Sequence, residues 1–129
     1  MIMQLYRAMI YVRDFPRMRQ FYSEMLGSQP VNREWTDTWA EFEAGGARFA
    51  LHAIPPETAK NIQISSPPQP REKSPVKLVF QVPNVDAERA KLQARGIPMI
   101  QRPWGSWEGV DPEGNIFGLV DPEQIRSGN

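Results

Sequence analysis

The chain has 129 residues, of which 40% are hydrophobic and 23% are charged, as is usual for one globular domain or for two small modules that share a core. Its 15 basic and 15 acidic residues give a formal net charge of zero, which argues against a general nucleic-acid binder. Because there is no cysteine, disulfides, cysteine-ligated zinc, iron–sulfur clusters and thiol nucleophiles are excluded. The one histidine, His52, limits the metal chemistry further.

The apolar runs of the sequence are short. None approaches the roughly 20 residues of a membrane span. The segment 1–13 is apolar, but it is too short and too regularly alternating for a signal peptide. We therefore expect a cytoplasmic protein without membrane or nucleic-acid partners.

The first half of the chain predicts a strand, a helix and a hairpin in that order. A strand is expected over 5–13, followed by a helix that Asp14 caps and Gly27 ends. Two strands over 38–43 and 48–54 are joined by an Ala-Gly-Gly turn, which is typical of a hairpin. The helix is indicated by apolar residues at helical spacing, namely Met18, Phe21, Tyr22, Met25 and Leu26.

Prolines concentrate in the middle of the chain, between residues 55 and 75. Because proline fixes φ and removes a backbone donor, the stretch 55–74 is predicted to be neither helix nor central strand. We interpret it as a connector. The alternative is a loop that covers a binding site, since long loops without secondary structure are often functional.

The second half predicts the same order of elements. A strand over 76–82 precedes a helix that Asn84 or Asp86 caps and that ends at Gly96. Further strands are expected at 97–101, near 107–110 and at 115–120, the last two flanking the turn sequence Asp111-Pro112-Glu113-Gly114.

This repetition predicts an internal duplication. Val12 and Val82 occupy equivalent places in the two halves, as do Gly27 and Gly96. Because neither half is large enough to bury its own helix and sheet, the two sheets should curve together around a cleft, with the helices outside. The predicted fold class is α+β, with modules at 1–54 and 75–129 and the connector 55–74 between them.

Several short segments carry a resemblance to a known family. The sequence resembles the vicinal oxygen chelate superfamily, which includes glyoxalase I, bleomycin-resistance proteins and extradiol dioxygenases. The resemblance implies paired βαβββ modules, a ligand cavity enclosed by curved sheets, and assembly as a homodimer. It rests on the order and spacing of Tyr11-Val12-Arg13-Asp14, Phe21-Tyr22, Met25-Leu26-Gly27, Phe80-Gln81-Val82-Pro83-Asn84-Val85-Asp86, Ala94-Arg95-Gly96 and Asp111-Pro112-Glu113-Gly114-Asn115.

The resemblance also implies four positions for metal ligands, usually histidine or glutamate. In this chain they are Arg7, Lys77, Gly118, and either Ala50 or, with a register shift of two, His52. Arginine stays protonated in proteins and has no lone pair to donate, and two cations would repel a metal ion. We therefore expect neither a metal nor another cofactor.

Side chains alternate between the two faces of a strand, and this alternation predicts the lining of the cleft. The expected lining residues are Arg7, Met9, Tyr11, Arg13, Arg48, Ala50, His52, Lys77, Val79, Gln81, Ile116 and Gly118. Two tryptophans, Trp104 and Trp107, are expected at its mouth. Ligand contact is predicted for Arg7, Met9, Tyr11, Arg48, His52, Lys77, Gln81, Trp104 and Trp107.

Arg7 and Lys77 should approach each other across the cleft, because the duplication relates them. An anionic small molecule, a carboxylate or a phosphate, would neutralise them. The alternative is that Glu41 or Glu43 on the neighbouring strand pairs with them and no ligand is needed.

Other residues also allow two interpretations. His52 is a candidate general base, or a structural strand residue. The four tryptophans, Trp35, Trp39, Trp104 and Trp107, suit an aromatic ligand wall, or a core or dimer interface. The paired carboxylates Asp111 and Glu113 are better explained by the turn than by a metal.

Three function classes follow. The favoured one is a metal-free binding protein for a small organic ligand. The alternatives are a glyoxalase- or dioxygenase-like enzyme with an atypical active site, and a structural or partner-binding domain that has lost its pocket.

Overall fold

The computed structural model describes residues 2–32, 34 and 36–128. It divides the chain into two compact units, Met1–Gln63 and Ile64–Asn129. Each unit combines helices with one mixed sheet, so the predicted α+β fold class is confirmed. Over the described residues, no helix has the length and apolar content needed to cross a bilayer.

The first unit contains a three-stranded sheet and two helices. In chain order its elements are β1 (Arg7–Val12), α1 (Phe15–Leu26), β2 (Trp39–Ala44), β3 (Ala47–Ala53) and α2 (Pro56–Ala59). The strands lie in the order β1-β3-β2. Strand β3 runs parallel to β1 and antiparallel to β2, so β3 is the central strand.

Helix α1 begins and ends where the sequence predicts. The carboxylate of Asp14 accepts a hydrogen bond from the backbone N–H of Arg17 at 3.3 Å, which satisfies a free donor of the first turn. Gly27 ends the helix at a φ of 67°, a backbone conformation that glycine adopts without strain. The helix buries Met18 and Tyr22, and the ring of Tyr22 packs on that of Phe49 at 4.8 Å.

The second unit contains a four-stranded sheet and two helices. Its elements are β4 (Leu78–Gln81), α3 (Val85–Ala94), β5 (Met99–Gln101), β6 (Trp107–Val110), β7 (Ile116–Val120) and α4 (Pro122–Arg126). The strands lie in the order β4-β7-β6-β5. Strand β7 is parallel to β4 and antiparallel to β6.

Helix α3 packs its buried residues Val85 and Leu92 into the core of the second unit. Of the two predicted caps, Asn84 is the one used, and its side chain accepts from the N–H of Ala87 at 2.8 Å. Glycine at position 109 is required by the packing, because a Cβ there would clash with the ring of Phe117.

The two sheets have equivalent strand arrangements. In each, the first strand is parallel to the last, and the last is antiparallel to the strand before it. The predicted repeat of strand, helix and strands is therefore confirmed. The second unit has one further strand, β5, at the edge next to β6.

One prediction about helices is wrong, and one helix was missed. The stretch 55–74 contains the short helix α2, because Pro55 and Pro56 stand at its first positions, where proline's fixed φ suits a helix and its missing N–H is not needed. Helix α4 was not predicted at all. Its signal was the capping box of Asp121 and Gln124, whose side chains each accept from the other's backbone N–H.

The connector 55–74 makes separate contacts in the two units. Near its start, the side chain of Arg13 donates to the carbonyl oxygens of Ala59 at 3.2 Å and Ile62 at 2.5 Å. Near its end, the N–H of Arg71 donates to the carbonyl of Gly114 at 2.9 Å. The boundary between the two units falls within the connector.

Candidate functional site

One face of the first sheet carries the predicted ligand-contact residues of the first half. Burial alternates along β1, from exposed Arg7 to Val12, which is fully buried. Arg7, Met9 and Tyr11, which were predicted to line the cleft, thus share the exposed outer face of the strand, and their place in a cleft stays a prediction. On the outer face, the register pairs Arg7 with Arg48, Met9 with Ala50 and Tyr11 with His52.

The charged end of this face is internally paired. The guanidinium of Arg7 lies 3.2 Å from a carboxylate oxygen of Glu41, which is only 7% exposed. Arg48 lies 3.6 Å from the other oxygen of Glu41 and 2.8 Å from Glu43. The alternative of internal pairing therefore holds for Arg7.

The other end of the face is aromatic. The imidazole of His52 lies between the rings of Tyr11 and Trp39, at centroid distances of 5.3 and 5.7 Å. The guanidinium of Arg7 stacks over Trp39 at 5.0 Å. Among the described residues, no carboxylate or carbonyl accepts a hydrogen bond from His52, although a catalytic base is normally oriented by such a group. The contacts of His52 fit the structural interpretation.

The second unit has a corresponding pair in Lys77 and Glu108. Lys77 lies just before β4, and its ammonium group is hydrogen-bonded to the carboxylate of Glu108. Glu108 lies on β6 and is 2% exposed, whereas the Lys77 side chain is 43% exposed. Sequence reasoning sought a partner for Lys77 in a ligand, or in Glu41 or Glu43, and missed Glu108.

Arg102 extends this pair into a network of four charged groups. It donates to Glu108 at 2.6 Å and forms two hydrogen bonds with Glu72, at 2.6 and 3.0 Å. The two-pronged contact with Glu72 uses both terminal nitrogens of the guanidinium, a geometry that lysine does not offer. The network connects the end of the connector to the sheet of the second unit.

The network keeps its members charged. Burial raises the pKa of the Glu108 carboxyl, but the hydrogen bonds from Lys77 and Arg102 outweigh burial and hold that pKa below its ordinary value. The hydrogen bond to Arg102 also lowers the pKa of Glu72. In turn, Glu72 and then Glu108 raise the pKa of Arg102 above its ordinary value. Both carboxylates are therefore ionised at neutral pH.

A cavity of about 340 Å³ opens beside this network, and we call it the charged cavity. It lies within the second unit. Trp104, which is 72% exposed, contributes an aromatic wall. The charged residues that line it are Arg71, Glu72, Lys77, Arg102 and Glu108.

A second cavity of about 440 Å³ lies in the same unit, and we call it the neutral cavity. It shares Lys77, Trp104 and Glu108 with the charged cavity. Its remaining lining residues are uncharged and include Val79, Ser106, Leu119 and Val120. Both cavities have volumes in the range of small-molecule sites, which is roughly 300–1,000 Å³.

Other predicted residues have varied surroundings. Trp107 lines the neutral cavity, and its ring lies 4.9 Å from the guanidinium of Arg89 on α3. Gln81 is exposed on β4, opposite Val120. Trp35 lies outside the described residues. The predicted approach of Arg7 to Lys77 joins residues of different units and stays a prediction.

The carboxylate of Asp111 is used by the turn, as predicted. It accepts hydrogen bonds from the backbone N–H groups of Glu113 and Asn115, both at 2.9 Å, and from the Asn115 amide at 2.8 Å. Asp111 is fully buried, and these bonds compensate its desolvation. Among the described residues, no three His, Asp or Glu side chains gather into a potential metal site.

Sequence reasoning missed Arg71, Glu72, Arg102 and Glu108, each of which lines the charged cavity. For Glu108 there was a usable signal, because its place on β6 corresponds to that of Glu41 on β2 in the repeat. For Arg71 and Glu72 no local pattern existed, since they belong to the proline-rich connector.

Comparison with family models gives a match to the glyoxalase-like domain over residues 7–120. The chain belongs to this family. This places it in the vicinal oxygen chelate superfamily, as the resemblance implied. Among curated proteins, no sequence matches this chain.

Solved structures share the fold of this glyoxalase-like protein at low sequence identity. A putative glyoxalase from Bacillus halodurans is 17% identical, with a TM-score of 0.72, over 92% of this chain and 95% of that one. Glyoxalase I of Leishmania major, described as trypanothione-dependent, is 16% identical, with a TM-score of 0.68, over 98% and 91%. An antibiotic-binding protein from a Streptomyces species is 23% identical, with a TM-score of 0.64, over 94% and 97%.

The family's metal positions do not fit a metal ion in this glyoxalase-like chain. Arg7 and Lys77 are cations that are already paired with carboxylates, and Gly118 has no donor atom in its side chain. The remaining position is Ala50, which also lacks a donor, or His52, which would be a single imidazole packed between two rings. Metal ions such as zinc need neutral imidazole or carboxylate ligands that are free to coordinate. We derive no metal-dependent step for this chain.

Proposed function

We propose that this glyoxalase-like protein binds a small organic anion, a carboxylate or a phosphate, in the second unit and without a metal ion. The observation that carries the proposal is the charge of the charged cavity. Three cationic side chains, Arg71, Lys77 and Arg102, face two carboxylates, Glu72 and Glu108, which leaves a net charge of +1 in its lining.

Arg71 is the source of this excess charge. Its Nε donates to the carbonyl oxygen of Glu113 at 2.9 Å. In the part of the chain that the structure describes, no carboxylate pairs with its guanidinium. The terminal nitrogens of such a group are suited to two-pronged recognition of a carboxylate or phosphate.

The basis for an anionic ligand thus differs from the one that the sequence suggested. The sequence argument required Arg7 and Lys77 to lack counter-charges, but Glu41 and Glu108 provide them. The excess positive charge comes instead from Arg71. Trp104 adds an exposed aromatic surface, which favours a ligand with a planar or apolar part.

A binding role is also supported by the comparison with an antibiotic-binding protein that shares this fold. The structural likeness extends to glyoxalase I as well, so an enzyme of atypical site remains the alternative. In that alternative His52 stays the candidate general base, with its imidazole packed between the rings of Tyr11 and Trp39.

We further propose that the protein is a cytoplasmic homodimer. Several large apolar side chains are exposed, among them Ile2, Met3 and Leu5, which are 90%, 91% and 71% exposed. Exposed apolar residues that cluster in one segment are typical of an interaction surface. Sedimentation equilibrium tests the dimer, and a monomer at micromolar concentration contradicts it.

Calorimetric titration with benzoate, phenyl phosphate and neutral benzamide tests the ligand class. We expect saturable binding of at least one anion and weaker binding of benzamide. Arg71→Gln should weaken anion binding about tenfold or more, because hydrogen bonds between charged groups contribute roughly 1.5–3 kcal/mol. The matched control is Lys73→Gln, an exposed cation two residues away, which should leave the affinity unchanged. If wild type binds no anion, or if Arg71→Gln binds anions as tightly as wild type, the proposal is wrong.

A further inference from the structure

The two cavities of the second unit differ in charge although they share three residues. Lys77, Trp104 and Glu108 line both. In the charged cavity the lining also holds Arg71, Arg102 and Glu72, and the net charge is +1. Of the described residues that line the neutral cavity, the charged ones are Lys77 and Glu108, and their charges cancel.

The lining of the neutral cavity is suited to an uncharged, mainly apolar group. Val79, Leu119 and Val120 contribute aliphatic surface. Val79 is 55% exposed, so a ligand that covered it would remove apolar surface from water. An anionic group placed here would meet no excess positive charge.

One polar atom in this lining lacks a partner. The hydroxyl oxygen of Ser106 is buried and makes no hydrogen bond within the described residues. Buried hydroxyl groups are normally hydrogen-bonded, because their desolvation is otherwise uncompensated. A ligand with one donor or acceptor in its uncharged part would supply the missing partner.

From these observations we propose that the ligand is bipartite. Its anionic head occupies the charged cavity beside Arg71, and its uncharged body occupies the neutral cavity, with one polar atom directed to Ser106. The ion pair of Lys77 and Glu108 and the ring of Trp104 lie where head and body join. This inference rests on the proposed function and adds the chemical class of the ligand, an organic acid or phosphate ester with an extended uncharged body.

The test compares two probes that differ only in the head. 4-Phenylbutyrate carries a carboxylate, and 4-phenylbutanamide carries a neutral amide on the same body. Arg71→Gln should lower the affinity for the acid about tenfold and change the affinity for the amide less than about twofold. Val79→Phe, which fills the neutral cavity from an exposed position, should weaken both probes about tenfold.

Two further variants sharpen the test. Ile125→Phe introduces the same aromatic side chain at an exposed position of α4 that lines neither cavity, and it should leave both affinities unchanged. Ser106→Ala should weaken the binding of a probe whose body carries a polar atom, such as 4-(4-hydroxyphenyl)butyrate, and leave the binding of 4-phenylbutyrate unchanged.

The outcomes separate this inference from the proposed function. If the acid binds but Arg71→Gln weakens acid and amide equally, or Val79→Phe weakens neither, the head and body do not occupy separate cavities. The bipartite inference is then wrong while anion binding stands. If wild type binds neither phenylbutyrate nor the anions tested above, both proposals are wrong.

Discussion

Glu41 and Glu108 occupy equivalent positions in the two sheets. Glu41 on β2 lies opposite Ala50 on β3, and Glu108 on β6 lies opposite Gly118 on β7. Each carboxylate is buried, and each pairs with a cation at or next to the first strand of its unit, Arg7 or Lys77.

A second cation completes each arrangement. Arg48 contacts Glu41 from the neighbouring strand, and Arg102 contacts Glu108 from the chain just after β5. Ionised carboxylates are costly to bury unless they are paired and hydrogen-bonded, so two cations around each glutamate keep it charged. The duplication thus preserved a carboxylate between two cations, although the cations themselves differ.

The first prediction concerns the stability contributed by Glu108. Glu108→Gln should lower the free energy of unfolding by about 1–3 kcal/mol, because it removes two charge-assisted hydrogen bonds. The loss is limited because Lys77 is 43% exposed and water can solvate it. Urea unfolding measures the effect. Glu43→Gln is the control, since its carboxylate is 56% exposed, and it should cost less than about 1 kcal/mol. Equal effects of the two variants would contradict the prediction.

The second prediction is the pH dependence of stability. The pKa values of Glu72 and Glu108 are lowered in the folded protein, so the unfolded chain binds more protons in acid. Their contribution is fully present above the unfolded pKa of about 4.3 and is lost as pH falls through the lower folded values. The urea concentration at the midpoint of unfolding should therefore decrease as the pH is lowered below about 4.

When Glu72 and Glu108 are both replaced by glutamine, the loss of stability between neutral and acidic pH should be smaller than in wild type. Some loss of stability in acid should remain, because other carboxyl groups also have a lowered pKa. One of them is Asp121, whose pKa is lowered chiefly by the hydrogen bond from the N–H of Val85. If the double variant loses as much stability in acid as wild type does, the network is not the cause of this pH dependence.

The third prediction concerns Gly114. It has a φ of 90°, and a Cβ there would clash with the carbonyl oxygen of Gln69. Its own carbonyl accepts from the N–H of Arg71, so this contact also positions the connector beside the charged cavity. Gly114→Ala should destabilise the protein more than Gly45→Ala, which has a φ of 76° and open space around it. Gly45→Ala therefore measures only the cost of placing a side chain at a positive φ, which is roughly 1–2 kcal/mol. Equal thermal midpoints of the two variants would contradict a steric role for Gly114.

The fourth prediction tests the cap of α3. Asn84→Ala removes the acceptor of the Ala87 N–H and should cost about 1 kcal/mol. Lys91→Ala, an exposed change inside the same helix, should stay within about 0.5 kcal/mol of wild type. Urea unfolding of both variants measures the difference. If Asn84→Ala is as stable as wild type, the side chain of Asn84 does not stabilise the start of α3.

The fifth prediction concerns metal content. Because two of the family's metal positions hold paired cations, Gly118 has no donor, and the remaining position offers at most the single imidazole of His52, chelation should not change the thermal midpoint of unfolding. Elemental analysis of protein purified without chelators should find less than stoichiometric metal. Stoichiometric zinc, nickel, iron or manganese whose removal lowers the midpoint would overturn the assignment of a metal-free site.

Much of the fold followed from local patterns. Asp14 and Gly27 marked the ends of α1, and Asn84 or Asp86 marked the start of α3, because caps act on backbone groups a few residues away. The structure shows that Asn84 is the cap of α3. The exceptions are α2 and α4. Helix α2 begins at prolines that were interpreted as helix breakers but serve as first-turn residues. The capping box that starts α4 was not recognised in the sequence.

The site followed less completely, as the counter-charges show. Arg7 and Lys77 were identified by their places on the repeat, but their partners lie 34 and 31 residues away. The alternative pairing with Glu41 could be foreseen from neighbouring strands. The repeat offered the same signal for Glu108, whose place corresponds to that of Glu41. Arg102 could not be foreseen, because its contact with Glu108 depends on which strands of the second sheet are adjacent.

The sequence by itself determined the α+β class, the repeated order of strand and helix, and the caps. The resemblance to the family added that Arg7 and Lys77 stand at two of its metal positions. Periodicity, caps and turns are local, so a single chain reveals them without its fold. Only the tertiary structure decided that glutamates neutralise these cations, that Arg71 is left without a carboxylate partner within the described residues, and that two cavities meet at Lys77 and Glu108. Charge balance in a folded protein is set by distances of a few ångströms between residues far apart in sequence, and strand order and register determine those distances.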